Sequence, residues 1–424
     1  MRLSVWLSAG VVAGSLAGAP VWAQPATSPG GPPAAPPSPA YEPAGSITLR
    51  AALDAAWQRA VAARESQGQR RRAEADRTAA GSFWAAPPSL ELSHRNDRLQ
   101  SNAGRRETEI GVAVPLWLPG QKAARAGTAD AAATQALAAE QVARLRLAGE
   151  LREAAWQLAA LQAEAAQADM QIQALKQLAD DVERRVVAGD LARADALAAQ
   201  AELLAASALQ SDVRQRLQAA RARWTLLTGL AAAPDMSVEA LEGAPAPAAS
   251  HPELQLANQS TELARKRVEL MRHSRRDAPE LTVGVRQDVP GRAEASQGSL
   301  VVGLRLPFGT DDRNRPLEAA ALSELDVAET HELRLRERLD SDIAAAREAK
   351  RSAKAQLDAE TARARLLRER ASLIDKSLRA GETPLPDLLR ALAAAAQADS
   401  AAARQTAALG LARARLQQAL GLLP

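Results

Sequence analysis

GVAVPLWLPG, residues 111–120, returns in altered form as GLRLPFG, residues 303–309, and this pair decides the fold. Gly111 and Pro115 match Gly303 and Pro307 at an offset of 192 positions (303 − 111). The same offset carries Gly189, Asp195 and Leu197 onto Gly381, Asp387 and Leu389. It also carries ARAR at Ala220, with Gly229 and Leu230 after it, onto ARAR at Ala412, with Gly421 and Leu422 after it. A long repeat with no net insertion or deletion means one architectural unit built twice. The units are expected at 46–230 and 251–424, joined by a Pro/Ala-rich linker at 231–250.

Each unit holds two runs of period-two alternation. In the first, Leu90 and Leu92 alternate with Glu91 and Ser93, and Ile110, Val112 and Val114 alternate with Glu109, Gly111 and Ala113. In the second, Leu281, Val283 and Val285 alternate with Thr282, Gly284 and Arg286, and Leu300, Val302 and Leu304 lead to Gly303 and Arg305. Such runs predict strands with one apolar face and one polar or small face. Each is about ten residues, the length a tilted strand needs to cross a bilayer. Trp117 and Phe308 end the second run of each unit, where an aromatic girdle or plain packing would use them.

The rest reads as helix. One helix is predicted from about Thr48 to Gly81, ended by Pro87 and Pro88. A very long one follows Pro119-Gly120 and runs to about Ala188. Its heptad seam is Leu151, Ala154, Leu158, Leu161, Ala165, Ala168, Ile172, Leu175, Ala179, Val182 and Val186. The second unit repeats the seam from Ile343 to Leu378, interrupted by Lys350 and Glu360. Gly189 and Gly381 break the long helices, each followed by an acid, Asp190 or Glu382, that suits the positive N-terminal end of the next helix. The first long helix would span about 99 Å, and its shorter neighbours about 42 and 58 Å. The two shorter ones therefore fit end to end beside the long one.

Composition narrows the function. The 424 residues carry a net charge of +3 with both signs interspersed, so no clustered basic patch for nucleic acid is present. There is no Cys, which excludes disulfides, Cys-zinc sites, thiol chemistry and a lipidated N-terminal Cys. Arg2, the apolar stretch Leu3–Ala19 and Val21-Trp22-Ala23 read as a secretory signal over 1–23. Residues 24–45 are Pro-rich and expected to be a disordered linker. No other segment is long and apolar enough for a spanning helix, so a membrane would be crossed by strands. His94, His251, His273 and His331 lack metal-ligand spacing, so no metal is expected. With no phosphate loop and no nucleophile constellation in context, neither an enzyme nor a cofactor is expected.

Four strands cannot close a membrane barrel, and open sheet edges do not survive in lipid. Strands from several chains must then share one barrel. Two chains would give eight strands around a plugged interior, and three would give twelve, wide enough for a solute. The expected fold is mainly α with a membrane β-barrel part: a long coiled-coil α-barrel plus four strands per chain.

The strand ends GVAVPLWLPG and GLRLPFG, the segments RRVVAGDLARADALAAQAEL and KSLRAGETPLPDLLRALAAA, and the unit ends WTLLTGL and LQQALGL resemble TolC-type outer-membrane efflux proteins over about Ser46 to Leu423. The resemblance implies a homotrimer with a twelve-stranded barrel in the outer-membrane lipid of a Gram-negative bacterium. It further implies a helical tunnel across the periplasm and docking to an inner-membrane pump, of the RND type, through a periplasmic membrane-fusion adaptor. LPFGTDDRNRP, residues 306–316, is similar to the branch that serves cobalt–zinc–cadmium exporters. The same resemblance puts the turns at the periplasmic tip, with Arg185, Val186, Gly189, Asp190, Arg379, Ala380, Gly381 and Glu382 as adaptor contacts. Asp195 and Asp387 would form acidic rings that gate cations, or on a plainer reading stabilise helix N-termini. Two rivals share parts of this pattern. The exit duct of a type I protein-secretion system has the same fold, and a periplasmic coiled-coil scaffold has the heptads but no bilayer-length strands.

Overall fold

The computed structural model describes residues 47–99, 101–234, 236, 250–309 and 311–424. The expected signal at 1–23, the linker at 24–45 and nearly all of the inter-unit linker lie outside them. The described elements run α1 (Leu49–Arg59), α2 (Val61–Ala80), β1 (Ser89–Asn96), β2 (Arg106–Pro115), α3 (Gln121–Ala188), α4 (Arg193–Thr228), α5 (Pro252–His273), β3 (Glu280–Val289), β4 (Gln297–Arg305), α6 (Asp311–Arg379) and α7 (Leu385–Ala419). From α2 to α4 and from α5 to α7 the order is identical, and the bounds agree within two residues after the 192-position shift.

Helices α3 and α6 have 68 and 69 residues, each about 100 Å long at 1.5 Å per residue. The shorter helices lie along them. Arg77–Asp130 (2.7 Å) ties α2 to the start of α3, and Arg214–Asp169 (2.9 Å) ties α4 to its second half. Arg265–Glu329 (2.9 Å) joins α5 to α6, and Arg368–Asp399 (3.1 Å) joins α7 to α6. The two units meet where α5 and α7 also pack on α3. There the Thr128 hydroxyl donates to the Lys266 carbonyl at 3.2 Å. Further along, the buried Arg152 guanidinium donates to Gln418 Oε1 at 2.9 Å and to the Leu422 carbonyl at 3.0 Å.

The seam predicted for α3 is buried or half-buried at every position, as is its counterpart on α6, Lys350 and Glu360 included. Ala is as common as Leu on the first seam and the commonest residue on the second, which lets backbones approach closely. Gly410 of α7 makes the closest approach: a Cβ there would come within 2.1 Å of the Trp156 ring of α3. Glu360 is accommodated by an ion pair with Arg363 at 3.2 Å, one turn on.

The first predicted helix is broken. Ala60 is extended at ψ 137°, its N–H donates to the Trp57 carbonyl, and its own carbonyl accepts from Ala63. No Gly or Pro marks the break. Packing imposes it: α1 lies in a core of Leu49, Leu53, Leu151, Leu158, Leu217 and Trp224 from α1, α3 and α4, whereas α2 runs along α3 alone.

The strands form one antiparallel sheet in the order β1-β2-β3-β4, so each unit contributes a hairpin and β2–β3 is the seam between units. Among the described residues the outer edges of β1 and β4 pair with nothing.

Candidate functional site

Two regions stand out, the sheet at one end of the long helices and the Gly turns at the other. The register sets the chemistry of the sheet. Leu90, Val112, Val283 and Val302 stand in one cross-strand row, and Leu92, Ile110, Val285 and Leu300 in the next. These eight side chains range from 44% exposed at Val112 to 74% at Leu90. A contiguous apolar face this open requires another phase or another protein to cover it.

The opposite face is polar or small. Ser93, Glu109, Arg286 and Ser299 share one row, and Arg95, Glu107 and Asp288 lie in the row beside it. Arg286 pairs with Glu107 and reaches Glu109 at 3.8 Å, joining three charges across β2 and β3. Nearer the helices, Gly111 faces Gly284, where a Cβ on Gly284 would come within 2.8 Å of the Gly111 Cα. Small residues on one face let a sheet curl toward that face.

The two hairpin loops clasp each other. Arg292 donates its backbone N–H to the Ala103 carbonyl at 3.2 Å and its guanidinium to the Asn102 carbonyl at 2.9 Å. Asp97 organises the first loop, accepting from the Ser101 hydroxyl at 2.8 Å and the Ala103 N–H at 2.6 Å. The Ser101 bond foremost, with help from backbone N–H groups, holds the Asp97 carboxyl below its ordinary range.

At the base of the sheet Trp117 donates its indole N–H to the Ser82 carbonyl at 3.2 Å, and the Arg125 guanidinium lies 5.7 Å from the Trp117 ring centroid. Phe308 is 91% exposed. Phe83 and Trp84 stack edge-to-face at 4.5 Å beside Trp117's partner Ser82. The sequence reading passed over that pair because it precedes β1 and belongs to no periodic run.

At the far end, Gly189 and Gly381 sit at φ 87° and 80°, where a Cβ is disfavoured. Each closes its long helix with paired backbone bonds: Asp190 N–H to Arg185 carbonyl at 2.9 Å, and Glu382 N–H to Ser377 carbonyl at 3.0 Å. Ala179, Val182, Ala196, Ala199, Leu378, Leu385, Leu388 and Leu389 form one apolar cluster, so both turns lie side by side on a shared core. Asp190, Gly189, Arg379, Ala380, Gly381 and Glu382 are exposed, and Arg185 is half-buried, paired with Asp181 at 3.0 Å. Val186 packs against the cluster, while Val187, which the sequence reading passed over, is 81% exposed.

Asp195 and Asp387 occupy matching positions near the starts of α4 and α7 but bond differently. Asp195 accepts from the Ala192 N–H at 3.2 Å. Pro384 holds the corresponding place before α7 and has no N–H, so Asp387 pairs with Arg390 instead. Behind the tips a groove of about 480 Å³ runs between α3, α4, α6 and α7, with Met170, Glu202, Arg368, Asp375 and Leu392 among its walls. Among the described residues no group of His or acidic side chains is placed to hold a metal ion, and no helix is long and apolar enough to cross a membrane.

No protein-family model matches the sequence, and no curated protein matches it. The structure is similar to the outer membrane protein VceC of Vibrio cholerae, with 15% identity over 88% of this chain and 96% of that chain and a TM-score of 0.69. It is similar to CusC, described for transmembrane channel formation, with 15% identity over 91% of this chain and 96% of that chain and a TM-score of 0.72. It is also similar to the MtrE outer membrane channel of Neisseria gonorrhoeae in its open state, with 16% identity over 89% of each chain and a TM-score of 0.69. Two long-helix units, each with a hairpin at the same end, are the architecture this chain shares with those outer membrane proteins. More narrowly, the chain has the fold of the TolC-type outer membrane factors.

Proposed function

We propose that this chain is the outer-membrane channel of a tripartite efflux system, a passive duct with no chemistry of its own. Three copies close their sheets edge to edge into a twelve-stranded barrel, β4 of one against β1 of the next. The apolar rows face lipid and the charged face lines the passage. The helices continue the passage through the periplasm, and the exposed turns at Gly189 and Gly381 meet a periplasmic adaptor that couples the duct to an inner-membrane pump of the RND type.

The observation that carries this reading is the sheet: bilayer-length strands, one exposed apolar face, and two edges without partners. A periplasmic scaffold has no use for such a face. LPFGTDDRNRP supports heavy-metal cations as the cargo.

The absence of native Cys makes a direct test possible. A Cys at Leu92 on β1, combined with single Cys positions scanned along β4 from Leu300 to Leu304, should give disulfide-linked dimers and trimers in membranes. Extraction should require detergent. A protein that stays in the aqueous fraction, or β1 and β4 Cys pairs that never cross-link between chains, sinks the reading. Growth of a deletion strain on cobalt, zinc or cadmium, compared with drugs, tests the cargo; unchanged metal tolerance removes the heavy-metal branch and leaves the duct.

A further inference from the structure

The 192-position repeat places the same joint in the molecule twice, with different chemistry. In each unit the last helix ends on a glycine of positive φ, Gly229 (78°) or Gly421 (74°). Each glycine lies against the equivalent side chain near the start of α2 or α5: Gly229 against Arg59, Gly421 against His251. A Cβ on Gly421 would come within 2.7 Å of the His251 ring, and one on Gly229 within 3.2 Å of the Arg59 side chain. The first joint therefore uses a permanent cation on a flexible stem. The second uses an imidazole, only 5% exposed.

His251 has a defined task there. It is the N-cap of α5, and its Nδ1 accepts the Glu253 N–H at 3.2 Å. The ring also packs against Gly421, just past the end of α7, so one side chain touches both helix ends. With Nδ1 accepting, the neutral ring carries its proton on Nε2. A second proton on Nδ1 would turn the acceptor into a donor facing the Glu253 N–H. The charged groups around the ring are Glu253 on α5 itself and Arg338 on α6, which pair with each other at 3.3 Å.

We propose that His251 is an acid-sensitive latch: while neutral it fastens the start of α5 to the end of α7, and its protonation releases that joint while the Arg59–Gly229 joint of the first unit stays closed. Burial foremost, with the nearby Arg338 charge, pushes the imidazole below its ordinary value, against the pull of Glu253. A depressed folded value means the unfolded or opened form binds the proton first. The latch is therefore fully closed above the ordinary histidine value of about 6.5 and is lost as pH falls below it. This inference does not depend on the duct reading, because it concerns how the helical unit is fastened.

Hydrogen exchange on the full chain in detergent, at pH 7.5 and pH 5.5 after correction for intrinsic exchange, reads both joints in one sample. Residues 250–256 and 416–423 should exchange about fivefold faster or more at the lower pH, while 59–64 and 225–230 should not change. His251→Asn keeps a capping acceptor that does not titrate and should abolish the acid response; His251→Ala should open the joint at both pH values. Equal acid responses at the two joints in the unaltered protein overturn the proposal, as does an undiminished response in His251→Asn. The comparison of joints in the unaltered protein stands even if a variant fails to fold.

Discussion

Helices α3 and α6 are copies of one element, yet α3 is flanked on both sides and α6 on one. Helix α3 packs against α2 and α4 on one flank and α5 and α7 on the other. Among the described residues helix α6 packs chiefly on α5 and α7, and leaves Leu366 and Leu373 at 60% and 58% exposure. At the opposite margin α4 exposes Leu197 and Leu204 at 58% and 71%. Position in the layer, rather than helix sequence, therefore decides how much of a seam is buried. It also explains why the second seam tolerates charge. Lys350 stands where the first unit has the fully buried Leu158, and Glu360 where it has the buried Ala168.

The contrast can be broken most forcefully where the units touch. Gly410→Val should cost about 3 kcal/mol or more, because the new side chain would occupy the space of the Trp156 ring. Gln218→Val, at the matching exposed position in the first unit, should change stability by less than about 0.5 kcal/mol. Denaturant unfolding of the two purified variants checks the pair, and equal losses would remove the distinction. A smaller gap is expected along the seams. Leu158→Ala should lose about 2–5 kcal/mol, whereas Lys350→Ala should lose under about 1 kcal/mol. Thermal melts resolve that difference, and a Lys350 effect as large as the Leu158 one would mean that α6 is as enclosed as α3.

The tips sharpen the comparison at the scale of single bonds. Asp195→Ala removes the carboxylate that accepts the Ala192 N–H and should cost about 1 kcal/mol. Asp387→Ala removes only a solvent-exposed pair with Arg390 and should cost a few tenths of a kcal/mol. Local hydrogen exchange at the start of α4 and α7 gives the readout. If both aspartates instead act as a gate, both substitutions will change ion conductance by similar amounts, whatever they do to stability.

Much of this fold is legible in the residues because it is periodic. Alternation marks the strands, three-and-four spacing marks the seams, and Gly189 and Gly381 mark the turns by a backbone conformation that suits glycine. What the sequence hides is set by contacts between distant segments. The break at Ala60 has no residue signal, since packing of α1 into the α3–α4 core creates it. Arg152, Trp156 and Gly410 look unremarkable until α7 lies on α3. The turn itself marks Val186 as a candidate adaptor contact but does not distinguish it from Val187. One residue of helix phase sends the first to the core and the second to solvent.

The clasp between the hairpin loops has a further consequence. Arg292 and the β2–β3 ladder bring ribbons from distant parts of the chain into one finished tile. In the proposed ring, three of every four strand joints would then be made within a single polypeptide, where loop closure is cheap. Only one joint per copy would wait on an encounter between molecules, so closure of that ring would be governed by concentration at a single margin.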